Sequence, residues 1–228
     1  MQLTLHIGIS GDLVDILSRL RPAFPHLPPY PSLDPISQLV KSLISTRTRD
    51  EVSWPAFVEL ISLYPQWNLM ARASVKALET ALAQVTFPEV KAATLSRALH
   101  DLAKWQPDFD LGFLGGMPVD RALEWLQRLD GVGMEIAAAT LNLSTLRRPA
   151  FVIDTHVLRI LQRYGLVSPT ADSRKAYRVV MGSTAEWNAD ELFELHRLMK
   201  ALGQRRCGKL DIGCDGCPLA GSCAKRIQ

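Results

Sequence analysis

Apolar side chains along this chain recur with the period of a helix. Ile36, Leu39, Val40, Leu43 and Ile44 fall at i, i+3, i+4, i+7 and i+8, the spacing of one buried helical face. Val119, Ala122, Leu123 and Leu126 repeat that stripe. Ser10 is placed to cap a helix over residues 13–20, and Asp190 to open one that holds Leu192, Leu195, Met199 and Leu202. Strand-like stretches are limited to residues 3–7 and 151–153. The pattern therefore predicts an all-α protein. The proline-rich stretch 22–35 cannot continue a helix and is expected to connect an N-terminal helix to the main helical body. A second break, Leu146-Arg147-Arg148-Pro149, stands before residue 154. No fixed-period repeat or low-complexity tract is present.

Composition adds bounds more than chemistry. With 228 residues, 47% of them hydrophobic and 21% charged, the chain is long enough to bury a real core in one domain or two small lobes. No run approaches the roughly 18 consecutive apolar residues of a membrane span, and MQLTLHIGISGDL lacks the basic start of a secretory signal. No membrane partner is expected, and the cytoplasm or nucleoid is the expected location. Charge is uneven. From His196 onward there are seven Lys or Arg (Arg197, Lys200, Arg205, Arg206, Lys209, Lys225, Arg226) against Asp211 and Asp215, more than the whole net charge of +3. This basic end is either a solvated face or a surface for nucleic acid.

All four cysteines lie in that end. Cys207, Cys214, Cys217 and Cys223 form C-x6-C-x2-C-x5-C, interleaved with Gly208, Gly213, Gly216 and Gly221, which let a short loop wrap closely around a bound centre. Two disulfides would be unusual without a secretion signal. Thiolates bind zinc and iron–sulfur centres alike, and the chemistry of the residues leaves both open.

Two further segments carry candidate chemistry. Residues 129–137 read LDGVGMEIA between two apolar helices, where Gly131 and Gly133 permit a tight hairpin whose amides, at the start of the next helix, can face a phosphate. Nineteen residues after Glu135 comes Asp154, in VIDTHV, placed to cap the helix that follows.

The hairpin, the V-x-D-T-H segment and the cysteine loop, in this order, resemble the endonuclease III family of helix-hairpin-helix DNA glycosylases. More loosely, PISQLVKSLISTRTRD (35–50) and FPEVKAA (87–93) resemble that family's upstream segments, so the likeness runs from about residue 33 to 223. It implies a two-lobed helical fold. Residues 28–147 would form a six-helix barrel module with the hairpin, and 1–27 with 148–228 a second lobe carrying the cluster loop, 207–223, with DNA running along the cleft between. It also implies a [4Fe-4S] cluster on Cys207, Cys214, Cys217 and Cys223, Asp154 as the catalytic carboxylate, and DNA contacts from the Gly131-Val132-Gly133 hairpin, Lys209 and Lys225.

The departures from the family pattern are informative. Bifunctional members carry a lysine in the hairpin helix that attacks the sugar. Here that position is Glu135, which cannot form a Schiff base, so a monofunctional enzyme is expected, with Glu135 either touching the flipped base or water, or serving as a favourable charge near a helix start. Arg47 takes the place of a glutamine that fills the gap left by the extruded nucleotide; an exposed helix-end arginine is the plainer alternative. Ser42 stands where adenine-specific relatives have a glutamate, and no reader domain follows the cluster loop, so adenine excision is not expected. His156 is expected to make a structural hydrogen bond. The resemblance thus implies a base-excision glycosylase, expected to be a monomer, acting on double-stranded DNA with a damaged or mismatched base. Alkylated bases and mispaired uracil or thymine are favoured as good leaving groups. The alternatives are a bifunctional glycosylase/lyase on oxidised pyrimidines, a lesion-binding protein without catalysis, and a zinc-bearing transcription regulator.

Overall fold

The computed structural model describes residues 8–210 and 212–224, so the strand-like stretch 3–7 lies outside the described residues. The chain is helical. Among the described residues the only β pairings are isolated bridges, Leu33 with Ser144 and Cys207 with Ile212. No described helix is long and apolar enough to cross a membrane.

The chain divides into two compact units, Ser32–Arg148 and a second made of Met1–Pro31 with Pro149–Gln228. The first contains α2 (Pro35–Ser45), α3 (Asp50–Leu63), α4 (Trp67–Arg72), α5 (Val75–Ala81), α6 (Pro88–Trp105), a 3-10 turn (Gly112–Gly116), α7 (Val119–Leu126) and α8 (Met134–Asn142). The stripe read from the sequence is the buried face of α2: Ile36, Leu39, Val40, Leu43 and Ile44 are all inside. Asp34 caps that helix by accepting from the Ser37 N–H at 3.0 Å, and Pro35, which lacks a donor, occupies the first turn where none is needed. The proline-rich stretch thus ends in the next helix start. The unit closes at the second break, where the Arg148 guanidinium donates to the carbonyls of Gly115 at 2.5 Å and Met117 at 2.8 Å.

The other unit contains α1 (Gly8–Ala23), α9 (Thr155–Tyr164), α10 (Ser173–Ser183) and α11 (Ala189–Arg205). Two helix starts differ from expectation. Helix α1 already includes Gly8, so Ser10 lies within it and is exposed. Helix α11 is opened by Asn188, whose side-chain oxygen accepts from the amides of Asp190 and Glu191, while Glu191 returns a bond to the Asn188 N–H at 2.8 Å. This reciprocal box satisfies three backbone amides and leaves Asp190 in the first turn, where its charge suits the helix dipole. Residues 151–153, strand-like in the sequence, form no strand or bridge. They are buried instead, and the Val152 carbonyl accepts from buried His196 Nδ1 at 2.9 Å.

Candidate functional site

In the first unit the hairpin sits between α7 and α8. Gly131 adopts φ +72°, a left-handed conformation open mainly to glycine, and a Cβ placed there would stand 2.1 Å from Thr94 Cγ2 on α6. Val132 is buried, and Asp130 is held by Arg97 of α6 at 2.8 Å, so both sides of the turn are fastened to one helix. Gly133 is different. It is the N-cap of α8, it is exposed, and a Cβ there would meet nothing within 4 Å. The missing side chain at Gly133 therefore leaves open space at the amide-rich start of α8 rather than room for a neighbouring chain segment. Glu135 lies in the first turn of α8, half-buried.

Arg47 is exposed in the turn after α2, with φ 55°, and makes no hydrogen bond to any described residue. Lys41, one and a half turns earlier, is buried against Ser53 Oγ at 3.3 Å and Asp50 at 3.5 Å. Ser42 accepts from Gln38 at 2.9 Å.

In the second unit, buried residues 150–153 lead directly into Asp154. Its Oδ1 accepts from the backbone N–H groups of His156 at 2.9 Å and Val157 at 2.8 Å, capping α9. Oδ2 accepts no hydrogen bond from any described residue. His156 meets Arg159 through Nδ1 at 3.0 Å and packs so closely on α11 that a Cβ at Gly203 would lie 2.7 Å from its own. The structural role expected for His156 fits this contact.

Helix α9 also carries residues that the sequence did not single out. Arg159 donates to the carbonyls of Cys207 at 2.8 Å and Gly203 at 3.0 Å. Arg163, one turn on, donates to Gly208 O at 2.7 Å and to Cys207 Sγ at 3.3 Å. Burial lowers the pKa of Arg159. The helix that Asp154 begins is thereby bolted to the start of the cysteine loop. The only sequence signal for this was the spacing of two arginines four residues apart on one helical face.

The loop itself brings the four cysteines to one cavity, lined also by Ile160, Leu202, Ile212 and Leu219. No disulfide joins any of the four, which sets aside the disulfide alternative. Gly216, at φ +68°, makes the turn between Cys214 and Cys217, and the Cys217 amide donates to Cys214 O at 3.1 Å. Among the described residues no three Cys, His, Asp or Glu side chains gather around a single ion position. Four thiols around one apolar cavity suit a thiolate-ligated centre, which a [4Fe-4S] cluster or a zinc ion would each provide.

The basic end is partly committed internally. Arg197 stacks near Phe193 and Tyr30 and donates to Pro28 O, Arg205 lies over Phe24, and Arg206 reaches Asp215 O at 3.4 Å. Lys209 is exposed. Lys225 and Arg226 lie outside the described residues.

Comparison with known proteins agrees with this geometry. An Arabidopsis thaliana protein named as a candidate DNA glycosylase is 31% identical over 139 residues, 61% of this chain and 47% of that protein, so the match spans about half the relative's length. An endonuclease III homolog of Encephalitozoon cuniculi is 27% identical over 83% of this chain and 78% of its own. Among solved structures, an endonuclease III trapped covalently on DNA superposes with a TM-score of 0.79 over 95% of this chain and 96% of that one; at 19% identity this is a likeness of fold. Residues 40–185, a stretch that holds Arg47, the hairpin, Glu135 and Asp154, match the model of one family, and the chain belongs to the HhH-GPD superfamily of base excision DNA repair proteins.

Proposed function

We propose that the chain is a monofunctional DNA N-glycosylase that hydrolyses the bond between deoxyribose and a damaged or mispaired base in duplex DNA. Asp154 carries this reading. One oxygen is fixed by two backbone donors, and the other, at the end of a buried segment, accepts no hydrogen bond from any described residue. A carboxylate held in that way suits the stabilisation of positive charge growing on a sugar. As the glycosidic bond breaks, its electron pair leaves with the base, a water oxygen bonds to the anomeric carbon, and the proton lost from that water is balanced by one gained by a neutral base such as uracil or thymine, or passes to solvent where a cationic base leaves neutral. No acid for the leaving base is evident, which favours cationic alkylated bases and mispaired uracil or thymine. The base must first leave the helix, at a cost of a few kcal/mol that damage or mispairing lessens.

Binding is assigned to the open amides at Gly133, with Gly131 and Val132 shaping the turn, and to Arg47, Lys209 and Lys225 on phosphates. Glu135 replaces the family's lysine, and Lys41 is engaged by Asp50 and Ser53, so neither offers a free amine to the sugar. The test is a panel of duplexes, each with one damaged or mispaired base. Release of a free base from at least one duplex, with strands broken only by later heat or alkali and no adduct trapped by borohydride, is the expected result. A robust trapped adduct would overturn the monofunctional reading, and no base release from any duplex would overturn the enzyme reading itself.

We further infer that Cys207, Cys214, Cys217 and Cys223 hold a [4Fe-4S] cluster. When bound, it supplies rigidity and no bond-making chemistry: it fastens the loop that presents Lys209. Purified protein is expected to be brown and to contain iron with acid-labile sulfide, whereas colourless protein with one tightly held zinc would reverse the assignment. Cys217→Ser is expected to speed amide exchange in residues 207–224 and also in α9, because Arg159 and Arg163 bond to the loop's carbonyls.

A further inference from the structure

Two exposed residues of the first unit, Arg47 and Phe87, have left-handed backbones, with φ 55° and φ 57°. Such a conformation costs a residue with a Cβ of order 1 kcal/mol or more, and it persists only where neighbours hold it. The two turns are 40 residues apart in sequence, and one hydroxyl joins them. Thr48 Oγ1, next to Arg47, accepts from the Thr86 N–H at 3.1 Å and from Lys91 Nζ at 2.5 Å. It also donates to Thr46 O at 3.5 Å, which uses all of its hydrogen-bonding capacity.

Lys91 gives the arrangement its meaning. It is buried, only 6% exposed, and Thr48 is the one hydrogen-bond partner of its ammonium among the described residues, with no described carboxylate in ion-pair range. Burial pushes its pKa down to about 8. A buried ammonium with a single neutral partner detracts from stability, so the fold gains nothing from it by itself. Its one connection runs to the hydroxyl that couples the two turns. On the other flank, Lys41 bridges the same turn to Asp50 at the start of α3.

We propose that Thr48, backed by Lys91, is a positioning residue that locks the turns of Arg47 and Phe87 into one preset element facing the duplex. This rests on the assignment of Arg47 to DNA contact made above. The hydroxyl fixes the Arg47 turn from within and the Phe87 turn through the amide of Thr86, so the two exposed side chains reach a gap in the duplex together rather than by separate searches.

The probe is a duplex carrying a tetrahydrofuran abasic-site analogue with 2-aminopurine opposite it. Entry of protein side chains beside the unpaired base changes 2-aminopurine fluorescence, and affinity is read in the same titration. The Thr48→Val/Lys91→Met pair removes both hydrogen-bonding partners and leaves apolar groups of similar size, so the unit should stay folded. This variant is expected to bind the abasic duplex about tenfold more weakly and to lose most of the fluorescence response, with a much smaller effect on an intact duplex. Thr48→Ser, which keeps the hydroxyl, should restore the wild-type response. Adding Arg47→Ala to the pair should then cost little more, because the element is already unlocked. Lys91→Met alone, which leaves the Thr86 bond in place, should show a partial loss and serves as the readout if the pair does not fold. A wild-type response in the pair, or in Lys91→Met where the pair fails, would overturn the inference. Unmodified protein that gives no response and no preference for the abasic duplex would instead overturn the assignment of Arg47 to DNA.

Discussion

Asp154→Asn is expected to slow base release in a single turnover by about 100-fold or more, while affinity for the same duplex changes little. The structure makes this substitution a clean one. The two amides that Oδ1 accepts, from His156 and Val157, are equally well served by an asparagine oxygen, so α9 keeps its cap and its place. What the substitution removes is the carboxylate charge, whose second oxygen accepts no hydrogen bond from any described residue. Asp154→Ala separates the two roles: it should lose catalysis to a similar degree and also destabilise the protein by about 1 kcal/mol through loss of the cap. Near wild-type base release by Asp154→Asn would remove the carboxylate from the reaction and leave it as a cap alone.

The sequence was legible where a local rule decides the outcome. The α2 stripe, the proline at its start, the Asp154 cap and the glycine at the hairpin each follow from residues within one or two turns of each other. The helix α11 start was misread because Asp190 and Asn188 are both good capping residues, and only the reciprocal bond from Glu191 chooses between them. The ties that support the site were not legible, for a different reason. Arg159 and Arg163 bond to carbonyls 44 to 48 residues away, and backbone acceptors leave no signature in a sequence. The same holds for Thr48, whose partners Thr86 and Lys91 lie just before and within the segment FPEVKAA, where the sequence carries no sign of the contact. The cysteine spacing pointed to a metal centre, and the structure adds that all four thiols line one cavity together with Leu202 and with Ile160 from a helix far away in sequence, which spacing alone does not determine.

The two hairpin glycines, alike in sequence, are expected to respond oppositely to the same change. Gly131→Ala places a methyl group 2.1 Å from Thr94 Cγ2 and forces a side chain onto a backbone at φ +72°. Thr94 is β-branched and has little rotamer freedom on a helix, so relief must come from separation of the hairpin from α6. Overpacking and the left-handed backbone together predict a loss of about 2–5 kcal/mol, or a Tm lower by about 5–15 °C, with the Arg97–Asp130 pair strained in the same movement. Thr94→Ala in the same chain should recover the steric part and leave the backbone part. Gly133→Ala meets nothing within 4 Å and has an ordinary φ of −85°, so its stability should stay close to wild type. Its methyl group nevertheless enters the space in front of the α8 amides, and affinity for duplex DNA is expected to fall if a phosphate rests there. A stable Gly133→Ala protein with unaltered affinity would move the phosphate off that helix start, and would leave Gly131 as the one hairpin glycine whose absence of a side chain the structure requires.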